Sequence, residues 1–171
     1  MKKLTKNTAF GILALAAGVN FAFADPVSIN ITGNVVASPC VVNNGQSNLN
    51  VDLETIQAST LAAANAGTTP KAFNLSLTSC PVGTSNVTVT FTGTAAASPQ
   101  TDMYLNTGGA TPLAVELSSG NTILGNNSTL TQAVQTDRSV TYALSARAVT
   151  STGSVMPGSI VAVVQANFSY N

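Results

Sequence analysis

The chain has 171 residues, with six basic and six acidic side chains, no histidine and a formal net charge of zero. Charged residues make up only 7% of it, whereas about 25% is usual. No basic cluster occurs, which excludes the electrostatic footprint of a nucleic-acid-binding protein or of one that binds an anionic membrane. Disorder goes with low hydrophobicity and high net charge, but 44% of the residues are hydrophobic. The abundance of Thr, Ser, Asn and Val therefore predicts an all-β protein.

The N-terminus has the features of a signal peptide. Three lysines precede an apolar stretch over residues 9–19, and residues 22–24 have the small-x-small form of a cleavage site. A transmembrane anchor is the alternative, but the stretch is shorter than the roughly 20 residues needed to cross a bilayer. Cleavage after residue 24 would leave 147 residues with a net charge of minus three, enough for one domain with its own core.

The segment after the predicted cleavage site alternates apolar and polar side chains with a period of two, which predicts a strand. The pattern leaves two interpretations open. The segment is either an ordinary first strand of its own domain or a strand that pairs with another molecule. Its positions on the apolar face are Val27, Ile29, Ile31, Gly33 and Val35.

Further short strands follow along the chain, each bounded by Gly, Pro, Asn or Ser. A candidate strand at 49–53 and an Ala-rich connecting loop at 61–66 precede the clearer ones. Those predicted strands cover residues 72–79, 86–92, 113–117, 122–124 and 139–149. The last strand alternates up to the C-terminus, with Ile160, Ala162, Val164, Ala166, Phe168 and Tyr170 on its apolar face. About seven strands of this kind predict an immunoglobulin-like sandwich, with a small barrel as the alternative.

Cys40 and Cys80 are the two cysteines of the chain. Export to an oxidising compartment makes a structural disulfide between them the expectation. A metal site is disfavoured because the chain has no histidine and no CxxC pair.

Catalysis is also disfavoured, because histidine, the usual general base, is absent. Asp52 and Glu54 form the one close carboxylate pair, and they would share a face on a strand. Acid–base chemistry is one interpretation of that pair, and the solvated face of an edge strand is the other. We expect no enzyme activity, no cofactor and no small-molecule substrate.

Three motifs in this order resemble chaperone-usher pilins of the type 1 fimbrial kind. They are Gly-Asn-Val-Val-Ala-Ser-Pro-Cys at 33–40, Leu-Thr-Ser-Cys-Pro-Val-Gly-Thr at 77–84 and Phe-Ser-Tyr-Asn at 168–171. The resemblance implies an incomplete immunoglobulin-like sandwich that lacks its final strand, and an N-terminal extension that fills the groove of a neighbouring subunit. It therefore implies a donor-strand extension at 25–35 followed by a pilin domain at 36–171.

The same resemblance implies roles for individual residues. Val27, Ile29 and Ile31 would enter pockets of a neighbour, with Val35 on the same face, and Gly33 would lie where a side chain is not tolerated. The apolar face of the last strand, from Ile160 to Tyr170, would border the groove of this chain. A periplasmic chaperone would bind the carboxylate of Asn171, close to Tyr170.

The implied function is a structural subunit of a fimbria on the cell surface, exported through the periplasm and assembled by an outer-membrane usher. Residues 33–40 and 80–93 look most like the minor adaptor subunit of the type 1 tip, and a rod subunit is the alternative position. A carbohydrate-binding adhesin is the alternative function. It is disfavoured because the pilin pattern begins within a few residues of the cleavage site, which leaves no room for a lectin domain.

Overall fold

The computed structural model describes residues 28–34 and 39–171. Short antiparallel strands are the main regular structure in these ranges. No α-helix occurs in those two ranges, and they contain no helix with the length and apolar character needed to span a membrane. The predicted signal peptide at 1–24 and the predicted donor residues Val27 and Val35 lie outside the described residues. The strands are β1 (Val41–Val42), β2 (Lys71–Thr78), β3 (Asn86–Gly93), β4 (Tyr104–Leu105), β5 (Ala114–Ser119), β6 (Thr122–Ile123), β7 (Ser128–Ala133), β8 (Val140–Val149) and β9 (Val164–Tyr170). Two 3₁₀ turns, Asn43–Gly45 and Ala58–Leu61, follow β1.

The strands form two sheets that enclose one main core. The larger sheet has the order β1-β2-β8-β5-β4, with β6 on the end of β5, and the smaller sheet has the order β7-β3-β9. Apolar side chains from both sheets meet between them, among them the fully buried Leu77, Val89 and Tyr142. The hydroxyl of Tyr142 donates to the carbonyl oxygen of Val87 across this core at 2.7 Å. The prediction of an all-β, immunoglobulin-like fold is confirmed.

The predicted disulfide is present and anchors the start of the domain. Cys40 and Cys80 are both buried, with Sγ atoms 2.11 Å apart and Cα atoms 4.2 Å apart. The bond ties the residue before β1 to the chain just after β2. It therefore holds the short edge strand β1, which has only two ladder pairs of its own.

Two strand predictions are wrong in part. Residues 49–53 form no strand, because the segment 46–57 has no ladder partner among the described residues, and Glu54 within it has a positive φ of 63°. The last strand begins at Val164 and not at Ile160. Residues 159–161 bond instead to the loop that follows β4, where Thr107 N–H donates to Val161 O and Ala110 N–H to Ser159 O. The inward and outward alternation of side chains nevertheless continues through residues 160–163.

Candidate functional site

A groove of about 1370 Å³ runs beside the last strand of the domain. One wall is the irregular segment 46–57, and the other is the chain from Met156 to Phe168. The floor consists of apolar side chains contributed by both sheets. The floor residues are Phe73, Leu75, Phe91, Leu117 and Leu144, and the far end is lined by Leu61, Ala110, Leu113 and Val155. A groove that opens directly onto the core suits an apolar strand better than a polar small molecule.

The backbone of β9 presents a free edge to this groove. Asn171 and Asn86 exchange both of their backbone hydrogen bonds, at 3.0 and 3.1 Å. Since hydrogen-bonded pairs alternate along an antiparallel ladder, every second residue of β9 points its N–H and C=O away from β3. These residues are Val164, Ala166, Phe168 and Tyr170. Within the described residues β9 pairs with β3 alone, so its outer edge can accept another strand.

Every second side chain from Ile160 to Phe168 faces inward. Ala162, Val164, Ala166 and Phe168 are half-buried and pack against the main core, and Ile160 packs against a second apolar cluster. All five residues line the groove. The structure thus brings together five of the seven residues of the predicted acceptor face.

The other two residues of the predicted face are Tyr170 and Asn171. They lie at the end of β9 nearest to Cys40 and do not line the groove. Tyr170 is half-buried, and this burial raises the pKa of its hydroxyl. A hydrogen bond with the backbone of Cys40 partly offsets the increase in pKa. Asn171 is exposed, and its carbonyl oxygen accepts the N–H groups of Ser85 and Asn86. The chain end is therefore fixed to the sheet at the edge of the groove.

The wall of the groove opposite β9, segment 46–57, was not predicted from the sequence. The segment 46–57 has no ladder partner among the described residues, and it is fixed by Leu53 and Ile56, which pack on the second apolar cluster. Glu54 forms an ion pair with Lys71, the first residue of β2. Asp52 accepts the backbone N–H of Glu54 at 2.8 Å. The two carboxylates are exposed and make turn and ion-pair contacts, which favours the solvated interpretation over acid–base chemistry.

Asn106 fixes the start of the last strand and was also missed. Its buried side chain accepts the N–H groups of Val161 and Gly108 at 2.8 and 2.9 Å, and it donates to the carbonyl oxygen of Ala110 at 2.6 Å. The wall of the groove before β9 is thus held by a side chain from the loop after β4. A single Asn in a Gly-rich loop carries no local signature of such a role.

The described part of the predicted donor segment, residues 28–34, forms no regular secondary structure. Ile29 and Ile31 expose 80% and 91% of their surface. A Cβ atom built on Gly33 would meet nothing within 4 Å. Two large apolar side chains, two positions apart in the chain, are thus largely exposed.

Binding is the chemistry that these features support. In the described part of the chain no three His, Cys, Asp or Glu side chains are grouped closely enough to hold a metal ion.

Comparisons with known proteins agree with this architecture. Residues 29–171 match the family model described as "Fimbrial protein". The chain is 39% identical to Protein FimG of Escherichia coli K12 over 165 residues, which cover 94% of this chain and 93% of FimG. It is also 39% identical to the fimbrial-like protein FimF of Salmonella typhimurium LT2 over 94 residues, which cover 55% and 54% of the two chains. The P pilus rod subunit PapA has the same fold, with a TM-score of 0.66 at 18% identity over 78% of this chain and all of PapA.

A match of this extent establishes the family, and it does not favour the adhesin alternative. Members of this family are structural proteins without catalytic activity. The chain belongs to the fimbrial protein family and is a structural, non-enzymatic pilus subunit of the chaperone-usher type.

Proposed function

We propose that this subunit polymerises by donor-strand exchange, in which residues 25–35 of one copy or of a related subunit fill the groove of the next. The single observation that carries the proposal is the free edge of β9 along an apolar groove. An open edge over a half-exposed core is an aggregation hazard that natural proteins cover. A strand from a neighbour covers it, which is a form of β-strand addition.

The contacts available in the groove support a tight joint. An inserted strand can bond to the outward N–H and C=O groups of β9, at about 0.5–1.5 kcal/mol net for each hydrogen bond. Its inward side chains would cover floor residues such as Phe73 and Phe91. Each fully buried aliphatic side chain adds about 1.5–3 kcal/mol.

The proposed donor residues have the properties that this mechanism needs. Ile29 and Ile31 are exposed in the chain, so their transfer into a groove removes apolar surface from water. Gly33 would pass the part of a neighbour's groove that has no space for a side chain. Val27 and Val35 complete the same face of the segment.

An open groove would also need cover before assembly. We therefore include a periplasmic chaperone that lends a strand to β9 and binds the carboxylate of Asn171, and an outer-membrane usher at which the exchange takes place. The position of Asn171, fixed to Ser85 and Asn86 beside the end of the groove, supports such a contact. Export through the periplasm to the pilus follows from these two partners.

Within the pilus we assign the chain to a minor, adaptor position. The identity to FimG and FimF supports this choice over a rod subunit. Deletion of the gene should alter the tips of the fibres and leave rods on the cells, as seen by electron microscopy. Complete loss of fibres would assign the chain to the rod.

The assignment of residues 25–35 as the donor strand can be tested by substitutions on the two faces of this segment. Ile31→Asp should abolish transfer of this chain to an acceptor subunit, because a carboxylate would have to enter an apolar groove. Asn30→Asp is the matched control, since Asn30 lies on the opposite face of the same segment and is also exposed. Equal transfer by the two variants, measured by native gel electrophoresis of the joined subunits, would refute the assignment.

Two further variants test the same segment. Deletion of residues 25–35 should stop transfer of this chain to an acceptor, while the shortened chain should still accept a donor strand. Gly33→Leu should slow the transfer through overpacking.

The acceptor groove needs a separate test. Ala166→Leu places a larger side chain in the groove, whereas Asn167→Leu places it on the outer face of the same strand, where the side chain of Asn167 bonds to Thr92. The first variant should accept a donor strand more slowly, and the second should accept it at the normal rate. A normal rate for Ala166→Leu would show that the donor does not pass this position.

A further inference from the structure

Met156 stands out in the wall of the groove because its side chain is 60% exposed beside an apolar cluster. The cluster closes one end of the groove and contains Leu61, Ala110 and Leu113. Val155, the preceding residue, is buried within it. Met156 therefore adjoins the cluster through Val155, and most of its own surface is exposed to solvent.

The backbone that carries Met156 is held firmly. Its N–H donates to the carbonyl oxygen of Thr111 at 2.8 Å. Two residues later, Gly158 lies so close to the facing loop that an added Cβ would be 2.3 Å from the carbonyl carbon of Gly109. The backbone on both sides of the Met156 side chain is thus packed against the facing loop, and the unbranched side chain itself is flexible.

Met103 is the other methionine in the described residues, and it has a different environment. It is half-buried, and its sulfur lies 3.5 Å from Nε2 of Gln100, which donates to it. Its carbonyl oxygen accepts the N–H of Ala96. Since oxidation of methionine follows exposure of the sulfur, the two side chains should differ in reactivity.

We propose that Met156 is an oxidation site for peroxides, and that its sulfoxide weakens the hold of the groove on an apolar strand. The second part of this inference rests on the proposed role of the groove. The thioether sulfur attacks one oxygen of hydrogen peroxide, the O–O bond breaks and an S=O bond forms. The proton of the attacked oxygen passes to the other oxygen, which leaves as water. The sulfur loses two electrons and the peroxide gains them.

The product is a polar and chiral side chain where an apolar, flexible one stood. A strand that entered this end of the groove would have to strip water from the sulfoxide oxygen, which has no hydrogen-bond donor to replace it in an apolar cluster. Oxidation would thereby make a subunit a poorer acceptor. Conversely, a strand already in the groove would cover Met156 and slow its oxidation.

The site itself is tested by treating the purified chain with hydrogen peroxide and quantifying sulfoxide at both methionines by mass spectrometry of peptides. Met156 should oxidise about tenfold faster than Met103 because Met156 is 60% exposed and Met103 is half-buried. Equal rates, or a faster reaction at Met103, would overturn the assignment. Met156→Leu provides a variant of similar side-chain volume without sulfur.

The effect on the groove is tested with two probes. One is an apolar dye of the anilinonaphthalene sulfonate type, and the other is a labelled peptide with the sequence of residues 25–36. After peroxide treatment the affinity of the unsubstituted chain for each probe should fall, by roughly fivefold for the peptide, since a polar oxygen must be desolvated. The Met156→Leu chain should show no change, and Met103→Leu should respond like the unsubstituted chain. An unchanged affinity for both probes in the oxidised chain would overturn the inference.

The two probes also separate this inference from the proposed function. If the peptide does not bind the untreated chain, residues 25–36 are not a ligand of this groove and that part of the proposed function fails. The dye then decides the effect of Met156 by itself, because its binding depends only on the apolar surface of the groove.

Discussion

The hydroxyl of Tyr142 lies 2.7 Å from the carbonyl oxygen of Val87 and donates a hydrogen bond that joins the two sheets through the core. The ring of Tyr142 also lies against Phe168 of the groove wall, with 6.4 Å between ring centroids. One side chain thus connects β8, β3 and β9. The orientation of β9, on which the groove depends, is coupled to the packing of the core.

Tyr142→Phe should lower the free energy of unfolding by about 1–2 kcal/mol, because the ring remains and one buried hydrogen bond is lost. Denaturant unfolding measures this change, and the dependence on denaturant should keep its slope because the fold is unchanged. An unaltered midpoint would mean that the hydrogen bond contributes nothing to stability.

Tyr104→Phe should have the opposite sign. Tyr104 is 1% exposed, and its hydroxyl has no hydrogen-bond partner among the described residues. Burial of an unpaired hydroxyl costs free energy, so its removal should leave the protein equally stable or more stable by up to about 1 kcal/mol. The two Tyr→Phe variants form a matched pair, and equal destabilisation by both would contradict the assignment of partners.

The pKa values of Tyr104 and Tyr142 indicate how the free energy of unfolding should change at alkaline pH. Burial raises the pKa of Tyr104 and of Tyr142 to about 12, from an ordinary value of 10.0. A pKa that is higher in the folded state gives stability that is complete below pH 10 and is lost as the pH rises towards 12. The loss should be on the order of 1–2 kcal/mol for each tyrosine. Unfolding midpoints measured between pH 8 and 12 in a Lys71→Met background, which removes the amine that titrates in the same range, should fall less in the Tyr142→Phe variant.

The sequence predicts those strands whose buried side chains alternate with a period of two. In β8, Val140, Tyr142 and Leu144 are buried, and exposed or half-buried residues separate them. β7 was missed because its sequence Ser-Thr-Leu-Thr-Gln-Ala has a single large apolar side chain, Leu130, and that residue is only partly buried. The segment 49–53 was predicted as a strand because Leu, Val and Leu alternate in it, but a strand also needs a partner, which periodicity does not reveal.

The same reasoning explains which parts of the groove were predictable. The wall formed by β9 follows from its terminal alternation, since inward side chains and outward backbone groups are both set by the strand itself. The wall at 46–57 depends on contacts with distant residues, because Leu53 and Ile56 pack on the second apolar cluster, which contains Ala148 and Val155. Asn106 bonds to Val161, 55 positions along the chain. No local pattern reports such distant pairs.

Asn106→Ala should destabilise the domain by about 2–4 kcal/mol, because it removes three hydrogen bonds and leaves the carbonyl oxygen of the buried Ala110 without this partner. Thr107→Ala is the control. The exposed hydroxyl of Thr107 also bonds to Val161, at 3.2 Å, but water can replace that contact. Asn106→Ala should also slow acceptance of a donor strand, since residues 159–161 would lose part of their support. Similar stability of the two variants would show that the buried amide is dispensable.

Two ion pairs occur within the described residues, and they should respond differently to loss of their basic partner. Glu116 is buried, and both of its carboxylate oxygens accept from Arg147, at 2.9 and 2.8 Å. Arg147→Met should cost about 3 kcal/mol, because a buried carboxylate would remain without its partner. Lys71→Met should have no measurable effect, since Glu54 and Lys71 are both largely exposed to solvent and screened by it.

A second substitution at the buried pair separates charge burial from loss of packing. Glu116→Leu combined with Arg147→Met should recover most of the lost stability, because an apolar pair of similar volume leaves no charge to desolvate. Unfolding by urea at neutral pH gives all four free energies on one scale. If Arg147→Met were as harmless as Lys71→Met, Glu116 would have to be hydrated in solution, and the outer face of the larger sheet would be more open than the 5% exposure of Glu116 implies.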